Sequence, residues 1–385
     1  MTVKRVLMAA CLIGVILFGY LTLNYAHASS SHAATSLLPL PKLAIRVQGN
    51  QLVNAQGQVV RLIGVDRLGE CMNGVVLHGP TDQSSVDQLT RWHINVVRIV
   101  MNEDCWLGIN GAPGGGLTAQ ALHSAIVDYV NLLNQNGIYV IFDLHTNAPG
   151  TLTSTAQQVM ADEDHAPAYW TSVANTFKDN PAVILEPYNE PHITTADADT
   201  TNPWACWRNG CEVTIYNTAD GGPTKKLKWQ GAGMQQLVNV IRVTGATNVI
   251  TLGGLSFSND LSQILAYLPK DPNHQLAATF HSYKGWGCGT ETCWNDTIAP
   301  VAKQIPVLTD EMGEEDCQQT YVGPYMSWAD AHGISYLAWV WVVGGCGSSQ
   351  TIGLPAGNWG LLSDWNGDLN KYGLPIVQHF KQVFP

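Results

Sequence analysis

Eight short runs rich in β-branched and apolar residues recur along the chain, and they constrain its fold more than any other feature. They read RLIGVD (61–66), NVVRIVM (95–101), IYVIFDLH (138–145), AVILEPYNE (182–190), NVITLGG (248–254), LAATFHSY (276–283), PVLTDEMG (306–313) and ISYLAWVW (334–341). Near-continuous apolar runs suit strands covered on both faces, as in a parallel sheet. Helical patterns lie between them. In residues 118–137, Leu122, Ile126, Val130 and Leu133 recur at helical spacing, and Gly137 suits the C-terminal cap. Residues 165–178 and 231–245 behave likewise. The alternation predicts the α/β class, and eight βα units predict a (β/α)₈ TIM barrel. A hairpin-like lead-in, LAIRVQGNQLVNAQGQVVRL, precedes the first unit, with Gly49-Asn50 as its turn.

The front of the chain reads as a targeting segment. Lys4 and Arg5 precede an apolar run from Val6 to Tyr25, and Ala26-His27-Ala28 follows as a small-x-small cleavage pattern. Residues 1–28 are expected to be a secretory signal peptide and the mature protein extracellular. An uncleaved anchor is the alternative, because the run is long enough to span a bilayer. Residues 29–42 form an irregular lead-in, and residues 43–385 are expected to make one catalytic-size domain.

Removal of residues 1–28 takes away two basic residues and no acid, so the formal charge moves from −11 to −13. No Lys/Arg cluster is available to meet phosphates, which argues against a nucleic-acid partner. A neutral ligand fits this balance. The chain carries 13 Trp and 13 Tyr, many for its length; core packing is one reading of them, and sugar-stacking surfaces in a cleft are the other. Beyond Cys11, eight cysteines remain, an even number that suits disulfides in an exported protein. The preferred pairing is Cys71–Cys105, Cys206–Cys211, Cys288–Cys293 and Cys317–Cys346. No CxxC or HExxH motif points to zinc, and no metal or cofactor is expected.

Arg98, His145, Glu190, His281 and Glu311 each fall within or at the C-terminal end of a different run. In a barrel those ends converge on one face, where active sites are built. Two carboxylates on one cleft suggest hydrolysis of a glycosidic bond. One protonates the departing sugar oxygen, and the other attacks the anomeric carbon or activates water. A pair about 5 Å apart retains the anomeric configuration, and a wider pair inverts it.

The segment LEPYNEP (185–191) resembles the Asn-Glu-Pro signature of glycoside hydrolase family 5, the cellulase family. VVRIV, FDLH, YNEP, FHSY, LTDEMG and WVW follow one another in the family's order. The resemblance implies a retaining double displacement with Glu190 as acid/base and Glu311 as nucleophile. Asn189 would bond the 2-hydroxyl of the sugar, and Arg98 would hold Glu311 ionised. His281 and Tyr283 would flank the pair, His145 would line the −1 subsite, and Trp341, preferred over Trp339, would form its floor. Glu190 is expected to have a raised pKa beside its negative neighbour.

By the same resemblance the partner is a β-linked polysaccharide or oligosaccharide, and no membrane is involved after cleavage of the leader. A monomeric endo-β-1,4-glucanase is the leading expectation. An endo-β-1,4-mannanase and an exo-acting enzyme on β-1,3-glucan or another glycoside come next. A non-catalytic carbohydrate-binding barrel is the remote alternative.

Several residues compete for these roles. Glu186 shares the strand parity of Glu190 and reads as a buried structural acid, as does Asp143. Asp310 neighbours Glu311 and should face the other side of its strand. Glu314, Glu315 and Asp316 read as a solvated loop. Asn102, Glu103 and Trp106 follow the second strand and are candidates to reach the substrate. The long segment 192–229 and the LGEC stretch (68–71) depart from the common family pattern and leave the choice of sugar open.

Overall fold

The computed structural model describes residues 43–69, 71–219, 222–345 and 359–383. The expected leader and lead-in lie outside the described residues, as does Cys346 of the fourth expected disulfide.

The chain opens with an antiparallel hairpin, β1 (Ile45–Gln48) and β2 (Gln51–Asn54). Gly49 takes the positive φ of 64° that the tight turn requires. The barrel strands are β3 (Ile63–Leu68), β4 (Val96–Asn102), β5 (Tyr139–Thr146) and β6 (Val183–Glu186). A second, inserted hairpin follows, β7 (Cys211–Asn217) and β8 (Thr224–Gly231). The barrel then resumes with β9 (Ile250–Gly253), β10 (Leu276–Tyr283), β11 (Val307–Gly313) and β12 (Ser335–Ala338). Eight parallel strands close in the order β3-β4-β5-β6-β9-β10-β11-β12, with β12 pairing back onto β3. This is the expected (β/α)₈ barrel.

Helices pack outside the sheet. Ala119–Gln135 buries Leu122, Ile126, Val130 and Leu133, the residues whose spacing predicted it, and Thr118 caps its start by accepting from the Ala121 amide. Ala166–Phe177 and Met234–Val243 fill the other two predicted positions. The opening hairpin has a packing role. Ile45 and Leu52 join Ile141, Ile184, Leu308 and Leu337 in one buried apolar cluster, and the Ile45 amide donates to Pro181 O at 2.9 Å. The hairpin therefore removes the N-terminal end of the barrel from water and leaves the C-terminal end open for chemistry.

Three disulfides form as expected, Cys71–Cys105, Cys206–Cys211 and Cys288–Cys293. The first ties the loop after β3 to the short helix Glu103–Leu107 after β4. The second joins the helix Pro203–Asn209 to the start of β7, so the inserted hairpin is clipped at its root.

Candidate active site

A buried cation organises the open end of the barrel. Arg98 on β4 is fully buried, and five acidic side chains surround it. Its Nε donates to Glu186 at 2.7 Å, Nη1 to Glu311 at 2.8 Å and to Asp66 at 3.1 Å, and Nη2 to Asn189 Oδ1 at 2.6 Å. Asp143 lies 3.1 Å from Nη2. One guanidinium cannot neutralise so many carboxylates. Burial pushes Asp66 and Glu186 well above the ordinary range, and the Arg98 charge only partly opposes it. The expectation that Glu186 and Asp143 are structural acids with partners agrees with this arrangement.

Above this layer stand the two expected carboxylates. Glu311 lies on β11, and its second oxygen accepts from the Tyr283 hydroxyl at 2.7 Å. Glu190 follows β6 by four residues, and its Oε1 pairs with His281 Nδ1 at 2.6 Å. The same His281 nitrogen is 3.4 Å from Glu311. One oxygen of Glu190, one of Glu311 and a His281 nitrogen all lie within 4.8 Å of one another. The two acids are therefore a close pair.

The charge on Glu190 differs from expectation. Burial raises its carboxyl, but the His281 charge and hydrogen bond outweigh burial and bring it down to about 2. His281 also loses from burial, yet the charges of Glu311 and Glu190 lift it well above the ordinary imidazole range. His281 and Glu190 therefore form a hydrogen-bonded pair that holds one proton between them. The raised pKa expected for Glu190 is overturned because a cation, and not only an anion, is its neighbour. Tyr283 is held neutral by burial and by the Glu311 charge, so it stays a donor.

A cleft of about 900 Å³ runs over the pair, and each of the eight barrel strands contributes to its wall through its C-terminal end or the loop that follows it. His145, Glu190, Tyr283 and Glu311 line it, as does Asn102. His145 donates or accepts through Nδ1 with Asp143 at 2.8 Å, and its Nε2 is 3.4 Å from the Asn189 amide. Asp310 does not face outward as strand parity suggests. The register of β10 against β11 shifts between Thr279 and His281, and Asp310 ends 3.9 Å from Arg98 and 3.4 Å from His281 in the buried layer.

Trp341 is the clearest correction. It is fully buried and absent from the cleft wall, with the Arg67 guanidinium 4.2 Å above its ring. Trp339 lines the cleft instead and stacks at 5.8 Å on His145. The preference for Trp341 came from the resemblance alone, and β12 ends at Ala338, so no pleat relates the two rings. The Trp341 backbone amide donates to Asp66 O at 3.0 Å.

Glu103 and Trp106 are likewise buried and do not reach the cleft. Glu314 is buried too. It accepts from the amides of Gln319, Tyr321 and Val322 and so caps the helix Val322–Ala331. Glu315 and Asp316 are exposed, as expected for a solvated loop.

Burial pushes the Glu103 carboxyl from 4.5 to about 8, against hydrogen bonds from Asp162 and the Ala148 amide. Its contribution to stability is full below its ordinary value and is lost as pH climbs toward about 8. Glu103→Gln cannot ionise, so it is expected to flatten the fall in stability between about pH 5 and 8 by a few kcal/mol, on the order set by such a shift. Urea unfolding across that range checks this.

Other cleft residues carry little sequence signal. Gln157 lies on an irregular loop with no periodicity. Phe257 belongs to a run of three left-handed residues, Ser256–Ser258, and is 42% exposed where it stacks on His192 at 4.0 Å. Trp286 and Trp359 complete the aromatic wall, and only residue type hinted at them.

Residues 53–345 match the family model described as cellulase (glycosyl hydrolase family 5). Endoglucanase A of Butyrivibrio fibrisolvens is 31% identical over 71% of this chain and 52% of its own length. Endoglucanase C of Evansella cellulosilytica is 24% identical over 65% of this chain and 28% of its own length. The chain thus spans only part of the length of these relatives. The fold is similar to that of the β-glucanase SdGluc5_26A of Saccharophagus degradans in complex with cellotetraose. Their TM-score is 0.63 at 18% identity, over 89% of this chain and 94% of the other. A match that runs from the opening hairpin to the loop after β12 and takes in every residue of the carboxylate pair and the Arg98 layer decides the family: the chain belongs to glycosyl hydrolase family 5, the cellulases.

Proposed function

We propose that this protein is a secreted, retaining endo-β-1,4-glucanase. The observation that carries the reading is the approach of Glu190 and Glu311, whose nearest oxygens lie within 4.8 Å. That separation suits a retaining pair near 5 Å and leaves no room for the water an inverting pair holds between carboxylates roughly 6.5–9.5 Å apart. The names of the two endoglucanase relatives support the glucan.

In the proposed first step Glu311 attacks the anomeric carbon and the bond to the leaving sugar breaks. Arg98 and Tyr283, each donating to a different Glu311 oxygen, keep the nucleophile aimed. Glu190 delivers a proton to the departing oxygen. That proton reaches Glu190 from His281 across the 2.6 Å hydrogen bond as the glucan displaces water. In the second step Glu190, now a carboxylate, takes a proton from the water that releases Glu311. Asn189 would donate to the 2-hydroxyl, and Trp339 would carry the sugar at the −1 position.

The two tryptophans make a paired prediction. Trp339→Ala is expected to raise KM about tenfold, roughly 1.4 kcal/mol of binding, with little change in thermal stability. Trp341→Ala is expected to destabilise the fold by about 3–5 kcal/mol, as truncation of a buried aromatic does. Thermal unfolding beside steady-state kinetics separates them.

The test of function uses residues 29–385 on carboxymethyl cellulose, mannan, lichenan, laminarin and xylan, with counts of reducing ends and product lengths. Internal cleavage of cellulose supports the proposal. Release from mannan alone would make the enzyme a mannanase, and silence on all five would remove the endo-glycanase reading. Secretion is tested by N-terminal sequencing of the exported protein, which should begin at Ser29.

A further inference from the structure

Glu190 has a second hydrogen-bond partner besides His281. Gln157, on the loop between β5 and the helix Ala166–Phe177, is 7% exposed and points into the cleft. Its Nε2 donates to Glu190 Oε2 at 2.9 Å, and its Oε1 accepts from the Asn189 side-chain amide.

The direction of these bonds is set from one end. Arg98 has donors only, so it requires the Asn189 oxygen to face it. The Asn189 nitrogen must then face Gln157, whose own nitrogen must face Glu190. Polarity passes from the buried cation through two amides to one carboxylate oxygen. Glu190 Oε2 is thereby limited to accepting.

We propose that Gln157 is a positioning residue that reserves Oε2 of Glu190 as an acceptor and so assigns the transferable proton to Oε1, beside His281. The inference rests on Glu190 being the acid/base.

The insertion that departs from the family pattern holds Gln157 in place. Asn217, the last residue of β7, donates from its side chain to Gln157 O at 2.9 Å. The Asn217 amide donates to Gln158 Oε1 at 2.8 Å, and Gln158 Nε2 returns a bond to Asn217 O at 3.0 Å. Tyr188, two residues before Glu190, donates to Gln158 O at 2.6 Å. The clipped hairpin, the Gln157 loop and the strand end bearing Glu190 are thus joined into one frame.

The groups that face Glu190 from the surrounding elements are His281, Glu311 and Tyr283, with His145 and His192 farther out. Gln157 adds to them an uncharged donor that bonds Glu190 itself. A donor to a carboxylate favours its charged form, so removing it strengthens the hold of Glu190 on the proton it shares with His281. The alkaline limb of kcat/KM, which reports loss of that shared proton from the pair, moves up with it.

The experiment compares wild type, Gln157→Leu and Gln157→Glu on cellotetraose and on an aryl β-cellobioside whose phenolate departs without a proton. Gln157→Leu should move the alkaline limb up by about one pH unit, the size expected for one hydrogen bond to a charged group. Its loss at the optimum should be about tenfold on cellotetraose and smaller on the aryl substrate. Gln157→Glu, which keeps the size and adds a like charge, should move the limb further in the same direction. A folded variant whose limb coincides with wild type and whose loss is equal on both substrates overturns the proposal. Glu190→Ala serves as the control. If it too shows no dependence on the leaving group, the acid/base assignment itself has failed, which is a different result.

Discussion

Glu311→Ala is expected to abolish turnover, by about 10⁴-fold or more, the order seen when a covalent catalyst loses its nucleophile. The reason lies in its surroundings. Glu311 is 4% exposed, receives Arg98 on one oxygen and Tyr283 on the other, and has its reactive face in the cleft. No neighbour can replace it. Asp310 sits in the buried layer against His281 and Arg98, and Glu186 is held by two Arg98 nitrogens. Added azide should enter the space left by the carboxylate and attack the anomeric carbon directly. The product would be a glycosyl azide of inverted configuration, and activity should return with azide concentration. Near wild-type turnover by Glu311→Ala without azide would sink the nucleophile assignment.

Glu190→Ala is expected to behave differently. Hydrolysis of unactivated glucan should fall about 10²- to 10⁴-fold, the usual contribution of a positioned general acid. Cleavage of an aryl glycoside with a good leaving group should lose far less in its first step, because no proton is needed there. The glycosyl-enzyme on Glu311 should then accumulate, since the base for water is missing, and KM should drop. Azide attacks without a base, so it should discharge the intermediate as a β-glycosyl azide of retained configuration. Opposite azide anomers from the two variants would distinguish nucleophile from acid/base on one chromatogram. The same anomer from both would contradict the division of roles.

The Arg98 layer explains why these two acids sit so close without repelling each other apart. The Arg98 guanidinium lies against Glu311, and His281, whose affinity for a proton is raised by both acids, lies between them. Isolated buried charges are strongly disfavoured, but each member here has several partners, which offsets the loss of water. The single proton of the His281–Glu190 pair can pass between them along the 2.6 Å hydrogen bond without leaving the network.

Much of this was legible in the chain. Eight apolar runs separated by helical periods dictate a closed parallel barrel, because strands apolar on both faces must be covered on both. The polar residues that interrupt those runs, Arg98, His145, Glu190, His281 and Glu311, had to emerge at one end. Short-range spacing also sufficed for the Cys206–Cys211 and Cys288–Cys293 clips. What spacing did not reach depended on contacts between distant segments. The β7–β8 hairpin was hidden because β8 is almost wholly exposed and lacks the apolar alternation that betrays a strand. The choice between Trp339 and Trp341 was beyond the sequence, because it depends on packing against Arg67 and His145 from distant strands. Asp310 was turned inward by a register shift that pairing with β10 creates.

Which polar residues gather at the open end of the barrel was therefore determined by sequence alone, since a carboxylate at the end of a buried strand has one place to go. How His281 shifts the Glu190 carboxyl, which tryptophan lines the cleft, and that Gln157 touches Glu190 were decided by tertiary structure. Those properties are sums over neighbours from β4, β10, β11 and an inserted hairpin, and no local pattern encodes a sum over segments so far apart in the chain.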